Sequence, residues 1–594
     1  MRQILPYLLL AAVIAAVYGR TLAFQPVGLD DDKLIARSEQ LVKQPGGFAQ
    51  LFRSDVFGQR SGPLFYRPLL GMSFYLDAQW GAPWIARLAN LLIHLLAVWA
   101  AYYLMIALGA RPRAAFLLAW LLAAHPALAQ AVAWLPGRND SLLALCLLLA
   151  LIAIERRAAA GKAWWLAAGA AAFLLALLAK ESALLFPPLA LWFAWLRSPK
   201  ESRKQDLIAW AVAVAIAVAI YFALRSLAGP AAMPFSASAQ TAALGMLSYL
   251  GKALLPFRLA LVPDVRDVQP AWGIASIIAL AAVLALARKR DARGVAFGMA
   301  WLLVFLLPGL SAGTFLEHRL YVPLIGLVLA AAWLDVAWSR WAFAGPMLFS
   351  ALCFIRVGDF RDPGTAWPRA VLASPHSALA HNQYGLSLSR AGSVSAARRE
   401  YQSAATLDPG LPHVWYNLGT ACLRQGDYPA AAAALERALQ ADPQQALARY
   451  NLGLADEGLK RYPDAERCYR DEIGRDPSCQ PAYVSLGALQ QERGQLKEAE
   501  QSYFKALQSG PDNADVHVNL GALYLAQRRY AEAEPQCRRA VELDPGNWRG
   551  WVNYGQYFLA RGDRGRAGQC FERASSIDPQ IRPLLATRGW IKDR

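Results

Sequence analysis

A repeat of 34 residues occupies the last third of the chain and constrains its fold more than any other feature. A glycine recurs at this interval, at Gly385, Gly419, Gly453, Gly487, Gly521 and Gly555. An Asp-Pro pair keeps the same step, at 408–409, 442–443, 476–477, 544–545 and 578–579, and Gly510-Pro511 fills the gap in this series. A fixed period of this length predicts a solenoid in which each unit packs on its neighbours.

The landmarks of each unit suit two antiparallel helices. The glycine lets the two helices approach closely, and a proline begins the next unit, where a missing N–H costs nothing. Small residues also recur early in each second helix, at Ala430, Ala465, Ala499, Ala533 and Ala567. This pattern resembles the tetratricopeptide repeat. The resemblance predicts six units over residues 375–578 and a capping helix over 579–594 that hides the last apolar face.

Solenoids of this kind are binding surfaces, and their concave groove is lined by the first helix of each unit. The amides that recur there can bond the backbone of an extended peptide. The aromatic residues beside them have a second explanation, since many such positions simply pack one repeat on the next. The candidate acceptor-binding residues are Tyr416, Asn417, Tyr450, Asn451, Asn519 and Asn553.

The first 357 residues have a different character, with apolar runs such as 91–110 and 207–224 that match the thickness of the bilayer hydrocarbon. The composition, 56% hydrophobic, is too apolar for a soluble multidomain protein. We expect an uncleaved N-terminal anchor rather than a signal peptide. Eleven spans are predicted, at about 4–19, 84–108, 114–133, 141–154, 163–179, 182–196, 207–224, 271–287, 295–311, 320–338 and 341–356.

Alternate loops between these spans are basic, notably 111–113, 155–157, 197–206 and 288–293, which is typical of cytoplasmic loops. The same rule accounts for the net charge of +17 without nucleic-acid binding, for which the sequence has no motif. The apolar stretch 242–262 is interpreted as a re-entrant or surface-lying helix. An odd number of spans then places the repeats outside the cytoplasm. We expect a multi-pass protein of a bacterial inner membrane with its repeats in the periplasm.

The loops on the external side carry polar motifs. They read DDD (30–32) within the long external segment 20–83, YRPL (66–69), AVAWLPGRND (131–140), KES (180–182) and EHRLYVP (317–323), with NLLIH (90–94) and HP (125–126) near or inside spans. Each has a simpler explanation. The acidic run suits a solvated helix cap, the KES and GRND charges suit interfacial ion pairs, and EHR suits an anchor at the headgroups. For His94 and His125 we favour hydrogen bonds between helices.

The order of these motifs, followed by tetratricopeptide repeats, resembles the transmembrane-and-tetratricopeptide-repeat O-mannosyltransferases and their bacterial relatives, glycosyltransferases of the GT-C fold. The resemblance implies an all-α chain with a transmembrane GT-C-like domain over 1–357 and a linker over 358–374. An acidic pair in the first external loop of that family carries the catalytic base, which corresponds here to Asp30 and Asp31. Asp32 is an additional acid.

The expected reaction transfers a sugar from a polyprenyl phosphate to a Ser or Thr hydroxyl of an extracytoplasmic protein. A carboxylate takes the hydroxyl proton as the oxygen attacks the anomeric carbon, which inverts the centre. Cations stabilise the anionic leaving phosphate. The candidates are Arg67, Arg138, Lys180, His318 and Arg319.

Neither a metal nor a bound cofactor is expected, because the acids and histidines lack ligand spacing. The seven cysteines form no CxxC pair, and several are expected to be small core residues. Two alternatives remain open at this stage. One keeps the fold but glycosylates a glycan or a lipid, and the other is a membrane-anchored scaffold without enzymatic activity.

Overall fold

The computed structural model describes residues 3–58, 65–228, 238–286, 291–311, 315–334 and 340–591. Within these residues the regular secondary structure is helical and includes no β-strand, as the sequence predicts. The chain divides into two compact units, Met1–Ala391 and Gly392–Arg594.

The first unit contains eighteen α-helices in its described residues. Many begin with a proline in the first turn, where the ring suits the helical φ angle and the missing N–H is not needed. Their bounds are α1 (Leu5–Tyr18), α2 (Asp31–Lys43), α3 (Gly47–Gln50), α4 (Pro68–Trp80), α5 (Pro83–Ala107), α6 (Pro112–Ala123), α7 (Ala129–Ala133), α8 (Arg138–Ala160), α9 (Trp164–Ala179), α10 (Phe186–Arg197), α11 (Arg203–Arg225), α12 (Ala239–Leu254), α13 (Pro270–Leu286), α14 (Ala292–Ser311), α15 (Tyr321–Ala332), α16 (Ala344–Val357), α17 (Pro363–Ala373) and α18 (Ala378–Arg390).

Helix α8 lies at the centre of this unit and packs against α5, α9, α10 and α15. Its residues Ala144, Leu147 and Leu151 are fully buried. Small residues bring other helices into close contact. A Cβ added to Gly298 of α14 would lie 2.5 Å from the carbonyl oxygen of Gly326 on α15. Such backbone contacts are typical of helices that associate in a membrane.

Four helical segments are long and apolar enough to cross a membrane: Leu5–Ala23, Pro83–Ala107, Arg203–Ala228 and Ala292–Leu310. A bent pair, Pro112–Ala123 with Pro126–Ala133, adds a fifth if it forms one span. By this criterion the prediction of eleven spans is too high for the residues that the structure describes. Two of the predicted spans, 271–287 and 320–338, extend beyond those residues.

Length and charge explain the difference. Helix α10 has 12 residues, which give about 18 Å at 1.5 Å per residue, well short of the roughly 30 Å of bilayer hydrocarbon. Helix α8 has 23 residues but carries Glu155, Arg156 and Arg157 near its end. Hydropathy along the sequence does not distinguish a short buried helix from a span. The stretch predicted to lie on the surface contains the 16-residue helix α12, which is not among the candidate spans.

The second unit contains twelve more α-helices in its described residues. From α20 onwards they alternate as first and second helices of five repeats, and each second helix also packs on the next first helix. Their bounds are α19 (Val394–Leu407), α20 (Val414–Arg424), α21 (Tyr428–Ala441), α22 (Ala448–Gly458), α23 (Tyr462–Arg475), α24 (Gln480–Glu492), α25 (Leu496–Ser509), α26 (Ala514–Ala526), α27 (Tyr530–Leu543), α28 (Trp548–Ala560), α29 (Arg564–Ile577) and α30 (Arg582–Thr587).

The recurring glycine lies where the two helices of a repeat meet, as predicted. A Cβ on Gly453 would lie 2.5 Å from Cε1 of Tyr469, and one on Gly487 would lie 2.7 Å from Cε1 of Tyr503. These separations are shorter than any real contact, so bulk is excluded at this position. The array ends in α30, and the ring of Trp590 stacks on Phe571 at 4.8 Å. This segment covers the last repeat as the predicted capping helix would.

Two further predictions concern single segments. Residues 358–374, expected to form a linker, contain helix α17, whose Trp367 is buried and donates a hydrogen bond to the carbonyl oxygen of Val27 at 2.9 Å. All seven cysteines are buried with free thiols, as expected for small core residues.

Candidate functional site

The acidic run begins helix α2, and its three members have three different environments. Asp31 is 1% exposed, and its Oδ2 accepts a hydrogen bond from the backbone N–H of Val27 at 2.8 Å. Asp32 is exposed and lies 3.6 Å from a guanidinium nitrogen of Arg390. Asp30, at the N-cap position, is only partly exposed. The sequence alone did not separate these three carboxylates.

Burial separates their proton affinities. It raises the pKa of Asp31 to about 7, against the hydrogen bond from Val27 and the charge of Arg87. Burial also raises the pKa of Asp30, although Lys33 and Arg67 act in the opposite direction. Asp30 therefore combines partial access to solvent, a raised pKa and a neighbouring guanidinium, which are the properties of a candidate general base.

The loop before the acidic run is held by groups that sequence reasoning missed. Arg87 is buried and donates hydrogen bonds to the carbonyl oxygens of Phe24 at 3.0 Å, Gln25 at 2.7 Å and Ala133 at 2.7 Å. These contacts fix the backbone that leads into Asp30. A lone Arg within an apolar run was the available signal, because an ionisable group at that depth is seldom incidental.

Cations from three other segments lie near this acid. Arg67 Nε is 3.2 Å from Glu181 Oε2. Lys180 Nζ is 2.7 Å and 2.8 Å from the two carboxylate oxygens of Asp140. His318 Nε2 lies 3.8 Å from Asp140 Oδ2. Four of the five predicted phosphate-binding residues, Arg67, Lys180, His318 and Arg319, thus influence one another's charge.

The protonation states in this cluster follow from burial and from the neighbouring charges. Burial lowers the pKa of Lys180, Asp140 opposes that change, and Arg67 and Arg319 add to it. Burial lowers the pKa of His318 well below its ordinary value, and the cations Lys180, Arg319 and Arg67 lower it further. His318 is therefore neutral at physiological pH and serves as a hydrogen-bonding group rather than a cation.

The fifth predicted residue, Arg138, binds only protein groups. Its guanidinium is fully buried and lies 2.6 Å from Asp77 Oδ2. It also donates hydrogen bonds to Asn90 Oδ1, Ser73 Oγ and the carbonyl oxygen of Ala86. These contacts tie α8 to α4 and α5. The pairs expected as simple alternatives are also exchanged, because Arg138 binds Asp77 while Asp140 binds Lys180.

The two histidines near or inside spans make hydrogen bonds to neighbouring segments, as favoured from the sequence. His94 Nδ1 lies 2.5 Å from the hydroxyl oxygen of Tyr321, and its Nε2 lies 3.0 Å from the carbonyl oxygen of Ala123. His125 Nε2 lies 3.0 Å from the carbonyl oxygen of Ala253. Their roles are thus in helix packing.

The turn that carries His318 and Arg319 is held by Glu317, which is fully buried. Glu317 Oε1 accepts a hydrogen bond from the N–H of Ala260 at 2.5 Å, and Oε2 lies 3.0 Å from Arg356 Nη2. The N–H of His318 donates to Gln130 Oε1 at 3.1 Å. Gln130 and Arg356 were also missed from the sequence, where each is a single polar residue in an apolar stretch.

The candidate residues of the repeats are half-buried on first helices of the second unit. Asn451 Nδ2 lies 3.3 Å from the hydroxyl oxygen of Tyr416, and Asn553 Nδ2 donates to the carbonyl oxygen of Val518 at 2.9 Å. The ring of Tyr450 packs on Tyr469 at 5.9 Å. At least part of this set therefore joins one repeat to the next, which is the simpler of the two explanations for these positions. Asn417 and Asn519 occupy the equivalent positions of their own repeats.

A family model for the tetratricopeptide repeat matches residues 385–446, 416–478, 450–514, 485–547 and 518–580. No curated protein matches the chain. Among solved structures, the tetratricopeptide-repeat protein YrrB is 20% identical over 31% of this chain and 95% of its own, with a TM-score of 0.27. PilF of Pseudomonas aeruginosa is 19% identical over 35% and 92%, with a TM-score of 0.30. PilW, a type IV pilus biogenesis factor, is 15% identical over 36% and 98%, with a TM-score of 0.33. The C-terminal region is an array of tetratricopeptide repeats, a fold that generally binds protein or peptide partners.

Proposed function

We propose that the chain is a membrane glycosyltransferase that moves a sugar from a polyprenyl phosphate to a Ser or Thr hydroxyl of a protein held by the repeats. One observation carries the proposal. An acid with a raised pKa, Asp30, lies within the electrostatic influence of Arg67, which itself acts on Lys180 and His318. Acids and cations that gather from separate segments of a buried region are typical of functional sites.

The chemistry assigns a role to each side of the cluster. The acceptor oxygen forms a bond to the anomeric carbon while the bond from that carbon to the phosphate oxygen breaks. The hydroxyl proton goes to Asp30, and the lipid phosphate leaves with the electron pair of the broken bond. Arg67, Lys180 and Arg319 would stabilise that negative charge, with Arg67 and Arg319 suited to phosphate by their planar guanidinium groups. A single displacement of this kind inverts the anomeric centre.

Asp30 suits the role of base better than its neighbours. Asp31 is buried against the N–H of Val27, so its carboxylate supports the loop instead of meeting a substrate. Asp32 is exposed beside Arg390 and lacks the burial that raises a carboxyl pKa. The carbonyl oxygen of Asp30 also accepts the N–H of Leu34, so its backbone is fixed by the first turn of α2.

The distribution of charge along α8 favours a membrane placement with the site at one face. Asp140 in the first turn of α8 belongs to the candidate cluster. Arg157, in the last turn, lies 2.9 Å from Asp206. Along the helix the two positions are about 25 Å apart at 1.5 Å per residue, comparable with the roughly 30 Å of bilayer hydrocarbon. The Arg157 end coincides with the basic loops, which supports placing the cluster on the extracytoplasmic face.

Purified full-length protein in phosphatidylcholine nanodiscs tests the proposal. The substrates are radiolabelled polyprenyl-phosphate sugars and a panel of envelope proteins. Wild type should transfer label to protein, Asp30→Asn should lose at least about a hundredfold of the rate, as expected for a general base, and Asp32→Asn should keep it. Equal loss in both variants, or transfer that persists in Asp30→Asn, would remove this carboxylate from the mechanism.

A second candidate function rests on the repeats themselves. Because tetratricopeptide arrays bind proteins, the chain would then be a membrane scaffold that needs no chemistry in its first unit. A scaffold predicts partner capture without transfer to any acceptor, and capture that Asp30→Asn leaves unchanged. A glycan or lipid acceptor, the remaining alternative, predicts label in those fractions and none in protein.

A further inference from the structure

A small cleft lies within the first unit, between α12, the start of α13 and residues 373–374. Its volume is about 50 Å³, enough for a few groups the size of water. Lys252 and Asp267 line its inner part and Trp272 lies among its lining residues. None of these residues belongs to the cluster around Asp30. The cleft is nevertheless next to that cluster's supporting turn, because Lys252 Nζ is 3.5 Å from Glu317 Oε1.

We propose that this cleft binds one pyranose unit, with the apolar face of the sugar on Trp272 and its hydroxyl edge toward Lys252 and Asp267. The inference goes beyond the transferase reaction and does not depend on it. Binding sites for small molecules commonly combine aromatic walls with a few fixed polar groups, and that combination is what the cleft offers.

The aromatic part of the cleft is exposed yet fixed. Trp272 is 39% exposed and Phe257 is 44% exposed, with their ring centroids 5.6 Å apart. The indole N–H of Trp272 donates to Gln269 Oε1 at 3.1 Å. A Cβ on Gly251 would lie 3.2 Å from the Cβ of Trp272, so the two helices meet tightly at this point. A large aromatic surface held this firmly loses little entropy when a ligand packs on it.

The polar part contains a buried cation with unused capacity. Lys252 is 8% exposed, and its Nζ makes no hydrogen bond within the described part of the chain, with Glu317 at the outer limit of that distance. A buried ammonium in this state gains from a hydroxyl ligand. Asp267 is oriented by its neighbours: its Oδ2 accepts from Ser374 Oγ at 2.5 Å, and its Oδ1 lies 2.6 Å from His376 Nδ1.

The balance of charge selects the class of ligand. Two cations, Lys252 and Arg258, and two carboxylates, Asp264 and Asp267, line the cleft. A phosphate would meet both carboxylates, and a lipid chain would desolvate four charged groups without pairing them. A neutral molecule with many hydroxyl groups can donate to the carboxylates and accept from the cations at the same time. A sugar fits that description and also has an apolar face for Trp272.

Saturation-transfer NMR on full-length protein tests this inference, in phosphatidylcholine nanodiscs free of glycosidic detergent. The probes are the methyl α-glycosides of mannose, glucose and N-acetylglucosamine. At least one should receive saturation from wild type. Trp272→Ala and Lys252→Met should each reduce the effect at least fivefold, whereas Trp80→Ala, which removes a tryptophan that is 76% exposed and outside the cleft, should not.

Further arms exclude the competing sites. Asp30→Asn should leave the effect unchanged, and farnesyl phosphate, which has a phosphate and a lipid chain but no sugar, should not displace the glycoside. No saturation transfer to any probe, retention of the effect in both cleft variants, or loss in Asp30→Asn would overturn the inference. Thermal unfolding of each variant shows that loss of the signal is not loss of the fold. Because these readouts are binding, they stand apart from the transfer assay.

Discussion

Replacement of Gly453 by alanine should loosen the repeat array locally, by an amount that the structure bounds. The new Cβ would lie 2.5 Å from Cε1 and 2.8 Å from Cδ1 of Tyr469, a side chain that is fully buried. The ring cannot move away without disturbing the contact between α22 and α23. Overpacking of this kind costs about 1–3 kcal/mol.

The same repeat offers a matched control. Gly474, near the end of α23, has no atom within 4 Å of an added Cβ. Alanine there meets open space and removes the conformational freedom of a helical glycine, which should stabilise the helix by about 0.5–1 kcal/mol. The two substitutions have identical chemistry, so their difference isolates the contact with Tyr469.

Hydrogen exchange detected by mass spectrometry on full-length protein reads both effects, in peptides from residues 448–475. A loss of about 1–3 kcal/mol accelerates exchange by opening roughly 5- to 150-fold, and a gain of about 0.5–1 kcal/mol slows it roughly 2- to 5-fold. Gly453→Ala should accelerate exchange and Gly474→Ala should slow it. Equal or greater protection in Gly453→Ala would refute the explanation of why glycine recurs in this array.

Three further predictions concern the first unit. Because burial raises the folded-state pKa of Asp31 from 3.8 to about 7, the folded protein binds a proton more tightly than the unfolded chain, so stability falls as pH rises through this window, by up to about 4 kcal/mol; thermal unfolding of Asp31→Asn between pH 4 and 8 should lack that decline. Arg138→Gln should cost about 3–5 kcal/mol because it leaves Asp77 without its partner, seen as a fall in thermal unfolding temperature, and unchanged stability would contradict its structural role. Arg67→Gln should raise the KM for the lipid-phosphate donor about tenfold or more, whereas the exposed Arg53→Gln should not, and equal effects would argue for a general loss of charge.

The repeats were predictable from the sequence because one residue type at one interval reports one contact. Gly453 and Gly487 recur because each meets an aromatic ring of the second helix, and no distant part of the chain takes part in that contact. The number of spans was not predictable in the same way. Helix α10 is as apolar as a span, and only its length of 12 residues in the folded chain distinguishes it.

The candidate site was predicted in outline and not in its pairing. The acids and cations could be named from their motifs, but the partner of Arg138 is Asp77 on α4, 61 positions away, and no local pattern connects the two. The difference between Asp30 and Asp31 arises from burial by Val27 and from Arg87, which depends on tertiary contacts. Sequence spacing carries no information about which of two adjacent carboxylates faces inward.

The central claim is that the first unit glycosylates proteins outside the cytoplasm and uses Asp30 as its base. Mapping of O-linked glycopeptides in the envelope proteins of cells that carry wild type, Asp30→Asn or Asp32→Asn tests it most directly. Equal amounts of each protein in the membrane must first be shown by immunoblotting. Glycosylated Ser or Thr residues that are present with wild type and Asp32→Asn and absent with Asp30→Asn are the predicted result. Identical glycopeptides in all three strains would contradict the claim.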